Sequence, residues 1–356
     1  MDEFDEYIKQ GEGTKYEKGC AWRAAIGLQQ VDGLKTSDYL INTARQHIEG
    51  DITIDEAKAL IDSYYKSKDS RKVTTEERME EADKVAARIT ELLSEQTFNF
   101  SPVGLISIHR RLFEGIYKHA GKIRDYNITK NEWVLRGKTV NYAGQSELSD
   151  TLDYELRTEK AFSYEGLSTA ESISHLAHFI SYLWQIHPFG EGNTRTTAVF
   201  SIKYLRTLGF PIDNDAFANH SWYFRNALVR ANYNDLSKGI HETTEYLERF
   251  LYNLLIGENY ELKNRDMLVP EQANSTQSAT TVVSKSQIGT LNCTLEEMSV
   301  LQQLIANPHV TQKEVALLIG KSERTVKRIT VSLTDKDIIQ RKSGKRNGYW
   351  EIHVEH

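Results

Sequence analysis

Two cysteines in 356 residues, Cys20 and Cys293, are too few and too far apart for a disulfide framework or a cysteine-rich zinc site. Their scarcity fits a reducing compartment. Proline is nearly as rare, with five residues, so little interrupts helix formation. No apolar run approaches the roughly 18 residues that a membrane span requires. The start, MDEFDEYIKQ, is acidic and has no apolar stretch of the signal-peptide kind. Together these point to a cytoplasmic protein with no membrane partner. Basic excess is lacking too: Lys and Arg number 44 against 50 Asp and Glu, a net charge of −6. That balance argues against coating nucleic acid as the main task, although a local basic patch fits within an acidic total. The length allows roughly two or three domains.

Helical periodicity is what the chain has in abundance. Apolar residues recur at intervals of three and four through most of residues 30–256. Ser168 with Glu171 makes a capping box ahead of Leu176, Ile180, Leu183 and Trp184. Ser37 is placed to cap a helix ending at Glu49 and Gly50, and Thr53 with Glu56 opens another. Gly209 and Pro211 stop a helix that starts near Asn193. The exception is EWVLRGKTVNYA, Glu132–Ala143, where β-branched and aromatic residues around an Arg-Gly turn predict a small β-hairpin. From Gln272 a Ser/Thr/Gln-rich stretch reads as a linker.

Beyond the linker, TQKEVALLIGKSERTVKRI has a helix–turn–helix cadence. Val315, Ala316 and Ile319 face inward, the chain turns at Gly320, and Ser322 caps a helix with Val326 and Ile329 inside. Arg324, Lys327 and Arg328 then share the outer face. Two β-like runs follow, joined by a turn carrying Lys342, Lys345 and Arg346, so the tail looks like a winged helix-turn-helix domain. Residues 294–356 hold ten Lys/Arg against eight Asp/Glu. A surplus that small suits duplex DNA and also suits protein docking.

The densest chemistry lies in HPFGEGNTRTTAVF, residues 187–200, between two predicted helices. The first amides of the second helix have no internal partners and carry the positive end of its dipole. Gly190 and Gly192 let that backbone approach an anion closely. Arg195 in the first turn adds a planar guanidinium. Glu191 offers a hard oxygen to Mg²⁺, and His187 titrates near neutrality and can take a proton from a hydroxyl. Base, metal ligand and phosphate cradle together describe nucleotidyl or phosphoryl transfer. His175 and His178, one turn apart, lack a third ligand at suitable spacing and read as packing residues.

HPFGEGNTRT resembles the signature of Fic-domain proteins, His-x-Phe-x-(Asp/Glu)-Gly-Asn-Gly-Arg-x-x-Arg, and the likeness extends through GKIRDYNITKNEWVLRGKTVNYA and FRNALVRAN. It implies a mainly α fold: a Fic helical bundle with a small β-hairpin flap, followed here by the winged helix-turn-helix. Implied domains are an N-terminal helical region at 1–95, the catalytic domain at 96–260, a linker at 261–292 and the C-terminal domain at 293–356. The implied activity is transfer of AMP from ATP, with Mg²⁺, to a Ser, Thr or Tyr hydroxyl of a target protein or of the chain itself. By the resemblance His187 is the base and Glu191 holds Mg²⁺. Gly192, Asn193, Thr194 and Arg195 cradle the phosphates, and Asn232 reads the adenine. Trp133, Val140 and Tyr142 of the flap dock the target peptide by strand pairing. NTARQHIEGDITIDEA resembles the family's inhibitory helix, which assigns Glu49 to the phosphate site. Two residues depart from the pattern: Thr194 replaces the second glycine and Ala198 the final arginine. The alternative reading is a DNA-binding regulator or interaction scaffold whose Fic domain senses a nucleotide or is degenerate, and a homodimer is compatible with either.

Overall fold

Serine and threonine side chains begin the helices that the spacing predicts. The computed structural model describes residues 4–9, 13–67, 74–210, 215–270, 300–301, 303–304, 307–318, 322–336, 338–342 and 348–353. Contacts divide the chain into two units, residues 1–233 with 242–271 and residues 234–241 with 272–356. The first unit runs α1 (Asp5–Ile8), α2 (Thr14–Gly27), α3 (Asp38–Glu49), α4 (Ile54–Ser67), α5 (Thr74–Ser94), α6 (Pro102–Phe113), α7 (Leu148–Ala161), α8 (Thr169–Ile186), α9 (Asn193–Thr207), α10 (Asp215–Ala231) and α11 (Glu245–Ile256). Ser37 Oγ accepts the Leu40 N–H at 3.1 Å to start α3, and Gly50 ends it at φ 91°. Thr53 and Glu56 close the box that opens α4, Ser101 Oγ caps α6, and Ser168 with Glu171 caps α8.

Tertiary packing holds these helices, as their individual lengths require. Helix α2 lies against α5 and α10, and α9 against α5, α6 and α8. The interior is rich in rings: Trp22, Phe113, Trp184, Phe189, Phe200, Phe224 and Phe250 are all at most 1% exposed. Each such ring contributes on the order of 2–3 kcal/mol of hydrophobic stabilisation. The N-terminal helices and the central bundle therefore share one unit. A short 3₁₀ segment, Leu28–Asp32, connects α2 to α3 and carries Gln29 and Asp32.

The predicted hairpin at Glu132–Ala143 does not form as a strand pair. The chain does reverse there: the Glu132 N–H donates to the Lys138 carbonyl, and the Gly137 N–H to the Glu132 carbonyl. Trp133–Leu135 is a 3₁₀ turn, Arg136 and Gly137 carry the reversal at φ 53° and 85°, and the remaining residues form no strand ladder. Val134 and Leu135 are fully buried. The alternation that suggests a half-buried strand instead drops two adjacent apolar residues into the core, which a strand places on opposite faces.

The second unit carries α12 (Gln312–Leu318), α13 (Glu323–Asp335), and the antiparallel strands β1 (Ile339–Lys342) and β2 (Tyr349–Ile352), paired Ile339 to Ile352 through Lys342 to Tyr349. Val300, Leu301, Leu304, Val315, Val326, Ile329, Leu333 and Trp350 form its core. Ser322 Oγ caps α13 through the Thr325 N–H, as anticipated. Residues 261–270 of the expected linker belong to the first unit, with a 3₁₀ turn at Asn264–Met267. The rest of the linker, Cys293, Pro211, Ile319, Gly320, Lys345 and Arg346 lie outside the described residues.

Candidate active site

Helix α8 ends at His187, which adopts φ 50°, ψ 55° and turns the chain into the loop before α9. A non-glycine residue in the left-handed region is uncommon and costs strain, so its surroundings must hold it there. They do. The His187 N–H and Nδ1 both meet the Trp184 carbonyl at 3.1 Å. Arg124, 5% exposed, donates from Nε to the His187 carbonyl at 2.8 Å and from its other nitrogens to the carbonyls of Tyr126, Ala143 and Ile186. Because a carbonyl only accepts, the bond to Trp184 puts the imidazole proton on Nδ1 and leaves Nε2 as the basic nitrogen. Burial pushes the His187 pKa well below the ordinary histidine value. The nearby charges of Lys130, Arg225 and Arg124 push the same way, and the Trp184 bond opposes them.

The loop rests on α6. Gly192 has φ 75°, and a Cβ there would lie 2.4 Å from the Phe113 ring, so only glycine fits. His109 is fully buried and stacks on Phe189 with ring centres 3.7 Å apart. Its Nδ1 accepts the Gly121 N–H at 2.8 Å, which leaves Nε2 to donate to the Glu191 carbonyl at 3.0 Å. Burial brings the His109 pKa down to about 4. Neutral His109 thus holds the loop from behind.

Of the residues assigned to the phosphates, the structure commits three side chains elsewhere. Asn193 binds the Phe189 N–H and carbonyl at 3.0 and 2.7 Å, closing the loop on itself. The Thr194 hydroxyl accepts Trp184 Nε1–H at 3.0 Å. Arg195, 1% exposed, pairs with Asp32 at 2.8 Å and Glu81 at 2.6 Å, touches Gln29 and Tyr117, and lies over the Phe113 ring. Burial opposes its charge, but Asp32, Tyr117 and Glu81 outweigh that and hold its pKa above the usual arginine value. What these residues offer an anion is backbone: Gly192 supplies no side-chain cap to the start of α9.

Glu191 points outward, its side chain 57% exposed, and binds Lys130 Nζ at 2.9 Å. A cavity of about 470 Å³ beside it is lined by Glu191, Arg195, Glu81, Tyr117, Trp133 and Trp222. Among the described residues no cluster of three His, Cys, Asp or Glu side chains could hold a metal by itself. A single carboxylate fits Mg²⁺ that shares its coordination with substrate phosphates. Glu191 here is paired with one cation, the Lys130 ammonium.

Several expected placements need correcting. Glu49 is not bonded to Arg195: its carboxylate pairs with Lys15 and also bonds Tyr7. Asn232 is buried and donates Nδ2 to the carbonyls of Ser181 and Leu228, away from the cavity lining. Its amide serves the packing of α8 and α10. Val140 is buried in the core, and only Trp133, 45% exposed, is open to a partner. Tyr142 belongs to the base: its ring is 4.2 Å from that of His187, and its hydroxyl donates to Glu132, which Arg225 holds with two bonds. Residues that sequence reasoning did not single out are Asp32, Glu81, His109, Arg124 and Lys130. Arg124 and Lys130 alone carried a signal, because both lie in the stretch GKIRDYNITK that shares the likeness. In the second unit Arg324, Lys327 and Arg328 are exposed on α13, with Lys327 paired to Glu323.

Residues 99–205 match the Fic/DOC family. The chain is 29% identical over 155 residues to Protein adenylyltransferase VbhT of Bartonella schoenbuchensis, covering 38% of this chain and 31% of that one. It is 28% identical over 134 residues to Probable protein adenylyltransferase y4lH of Sinorhizobium fredii, 37% of this chain and 65% of the relative. The chain thus spans about a third of the first relative and just under two thirds of the second. Among solved structures, it is similar to the N-terminal FIC domain of Bep8 from Bartonella sp. 1-1C, with 19% identity, TM-score 0.41, and coverage of 52% and 88%. The Fic/DOC match spans the helices and loop that carry His187, Glu191 and Arg195, and residues 99–205 are therefore a Fic domain.

Proposed function

We propose that this chain transfers AMP from ATP to a hydroxyl of a protein, itself included. His187 carries the reading: a neutral imidazole with its proton held on Nδ1 and Nε2 left basic, at the head of a helix start that presents amides. His187 Nε2 takes the proton of the hydroxyl while that oxygen attacks the α-phosphorus. The bond from phosphorus to the bridging oxygen breaks, and pyrophosphate leaves. The amides at the start of α9 receive phosphate charge. Glu191 would hold Mg²⁺, which neutralises that charge when bound. In this reading Asp32 and Glu81, rather than Glu49, restrain transfer, because they occupy Arg195. Incubation with α-labelled and with γ-labelled ATP tests it. Retained α-label, absent in His187→Ala and raised in Glu81→Gln, supports the reading. Retained γ-label indicates phosphoryl transfer, and no retained label with normal nucleotide binding favours a sensing role.

A second reading rests on the C-terminal unit. Its capped α13 exposes Arg324, Lys327 and Arg328, the arrangement of a helix that enters a DNA groove. A salt-dependent shift of duplex DNA by the full chain, lost in the triple alanine variant, would support a DNA-directed transferase. No shift at low salt favours protein docking.

A further inference from the structure

The loop's outward carboxylate is already occupied by a cation that the proposed reaction does not use. Lys130 Nζ lies 2.9 Å from Glu191 Oε2, and the two side chains are 23% and 57% exposed. The lysine backbone is anchored: its N–H donates to Thr139 Oγ1 at 3.0 Å, across the Glu132–Lys138 reversal. Only its four-carbon arm is left to move. The other cations around the loop are tied down. Arg124 binds four backbone carbonyls, Arg225 holds the buried Glu132, and Arg195 is wedged between Asp32 and Glu81. Ala198, fully buried, adds no charge. Among the described residues on the exposed side of the loop, Lys130 is therefore a cation able to change partners.

We propose that Lys130 is an exchangeable counter-ion: it neutralises Glu191 in the empty site, yields that carboxylate to a divalent cation, and then binds a phosphate oxygen of the incoming nucleotide. The inference rests on the reading of Glu191 as the metal-holding residue. The physical case is one of competing charges. A half-exposed ion pair is weak enough to exchange. A doubly charged cation with a preference for carboxylate oxygen competes with an ammonium for Glu191 even without nucleotide, and more strongly once phosphates complete its coordination. An ammonium on a flexible stem is a mobile point charge that serves phosphate as well as carboxylate. Lys130 thereby keeps the site electrically balanced in both states.

The test uses the full chain and reads binding rather than turnover. Lys130→Gln keeps a hydrogen-bond donor but no charge, and Lys130→Arg keeps the charge. Mn²⁺ titrated without nucleotide, followed by the electron paramagnetic resonance of the free ion, should bind Lys130→Gln about three- to five-fold tighter than the parent. ADP titrated by calorimetry in saturating Mg²⁺ should bind the same variant about three- to five-fold weaker. The arginine variant should remain near the parent in the ADP titration. Opposite signs are the signature, since a lysine that only stiffens the turn would move both affinities together or neither, and either result overturns the proposal. Glu191→Gln separates the two levels. If it binds Mn²⁺ as the parent does, the metal reading itself fails. If it loses Mn²⁺ while Lys130→Gln behaves as the parent, the exchange proposal fails alone.

Discussion

Helices α8 and α9 begin in opposite ways. At α8, Ser168 Oγ accepts the Glu171 N–H, and the Glu171 carboxylate receives the Ser168 N–H and hydroxyl. At α9 the cap residue is Gly192, and the polar side chains beside it turn away, Asn193 to Phe189, Thr194 to Trp184 and Arg195 to Asp32 and Glu81. A start sealed by its own side chains is a stable end with nothing to offer a ligand. A start whose neighbours are bound elsewhere keeps its amides and its dipole available. The motif's polar side chains shape the loop, which on the proposed reading leaves its peptide groups and the two outliers, His187 and Glu191, to meet a substrate.

The largest test of that division is His187→Ala, which should lower label transfer by about 10²–10⁴-fold and leave the melting temperature within a few degrees. Parent-level transfer would remove the base from the account.

Acid should act next, and on the loop before the α8 cap. His187, His109 and His47 all have pKa values depressed chiefly by burial, the last two to about 4. The unfolded chain takes these protons near pH 6.5, while the folded chain refuses them. Stability is therefore undiminished above about pH 6.5 and falls below it, by about 1.4 kcal/mol per pH unit per histidine down to the folded values. Urea midpoints between pH 7.5 and 4.5 measure this, and His109→Gln should flatten the slope. A midpoint independent of pH in that range would contradict the burial argument.

Gly192→Ala places a methyl against Phe113 at φ 75°, whereas Gly50→Ala at φ 91° meets nothing within 4 Å. Both incur backbone strain of about 1 kcal/mol. Only the first should lose a further 1–3 kcal/mol and most of its transfer, because the ring or the loop must shift. Equal losses would show that the tight packing under the loop is unimportant.

Ser168→Ala should cost about 1 kcal/mol in stability and nothing in transfer, which would confirm that a sealed helix start is structural. Smallest of all is Glu49→Gly. With Glu49 held by Lys15 and Tyr7, autolabelling at saturating ATP should stay at the parent rate. A several-fold rise would restore Glu49 to the regulation of the site.

What the sequence determines by itself here is short in range. Caps at Ser37, Thr53, Ser168 and Ser322 join atoms three residues apart, so their pattern is complete in the text, and the loop at 187–195 is recognisable because its groups are contiguous. Where Arg195 finds its partners is another matter: Gln29 is 166 positions away and Glu81 is 114. Lys130 reaches Glu191 across 61 positions, and His109 reaches the same residue across 82. The first and last of those meetings depend on how the 3₁₀ segment Leu28–Asp32, α5 and α6 pack against α9, and nothing local encodes any of them. The same packing turned Asn193 and Thr194 inward, replaced a strand at Glu132–Ala143 with a turn, and kept Glu49 with α1 and α2. Tertiary structure decided these because burial charges a heavy energy for any unpaired polar group, and the pairing that satisfies it is selected by the assembled core.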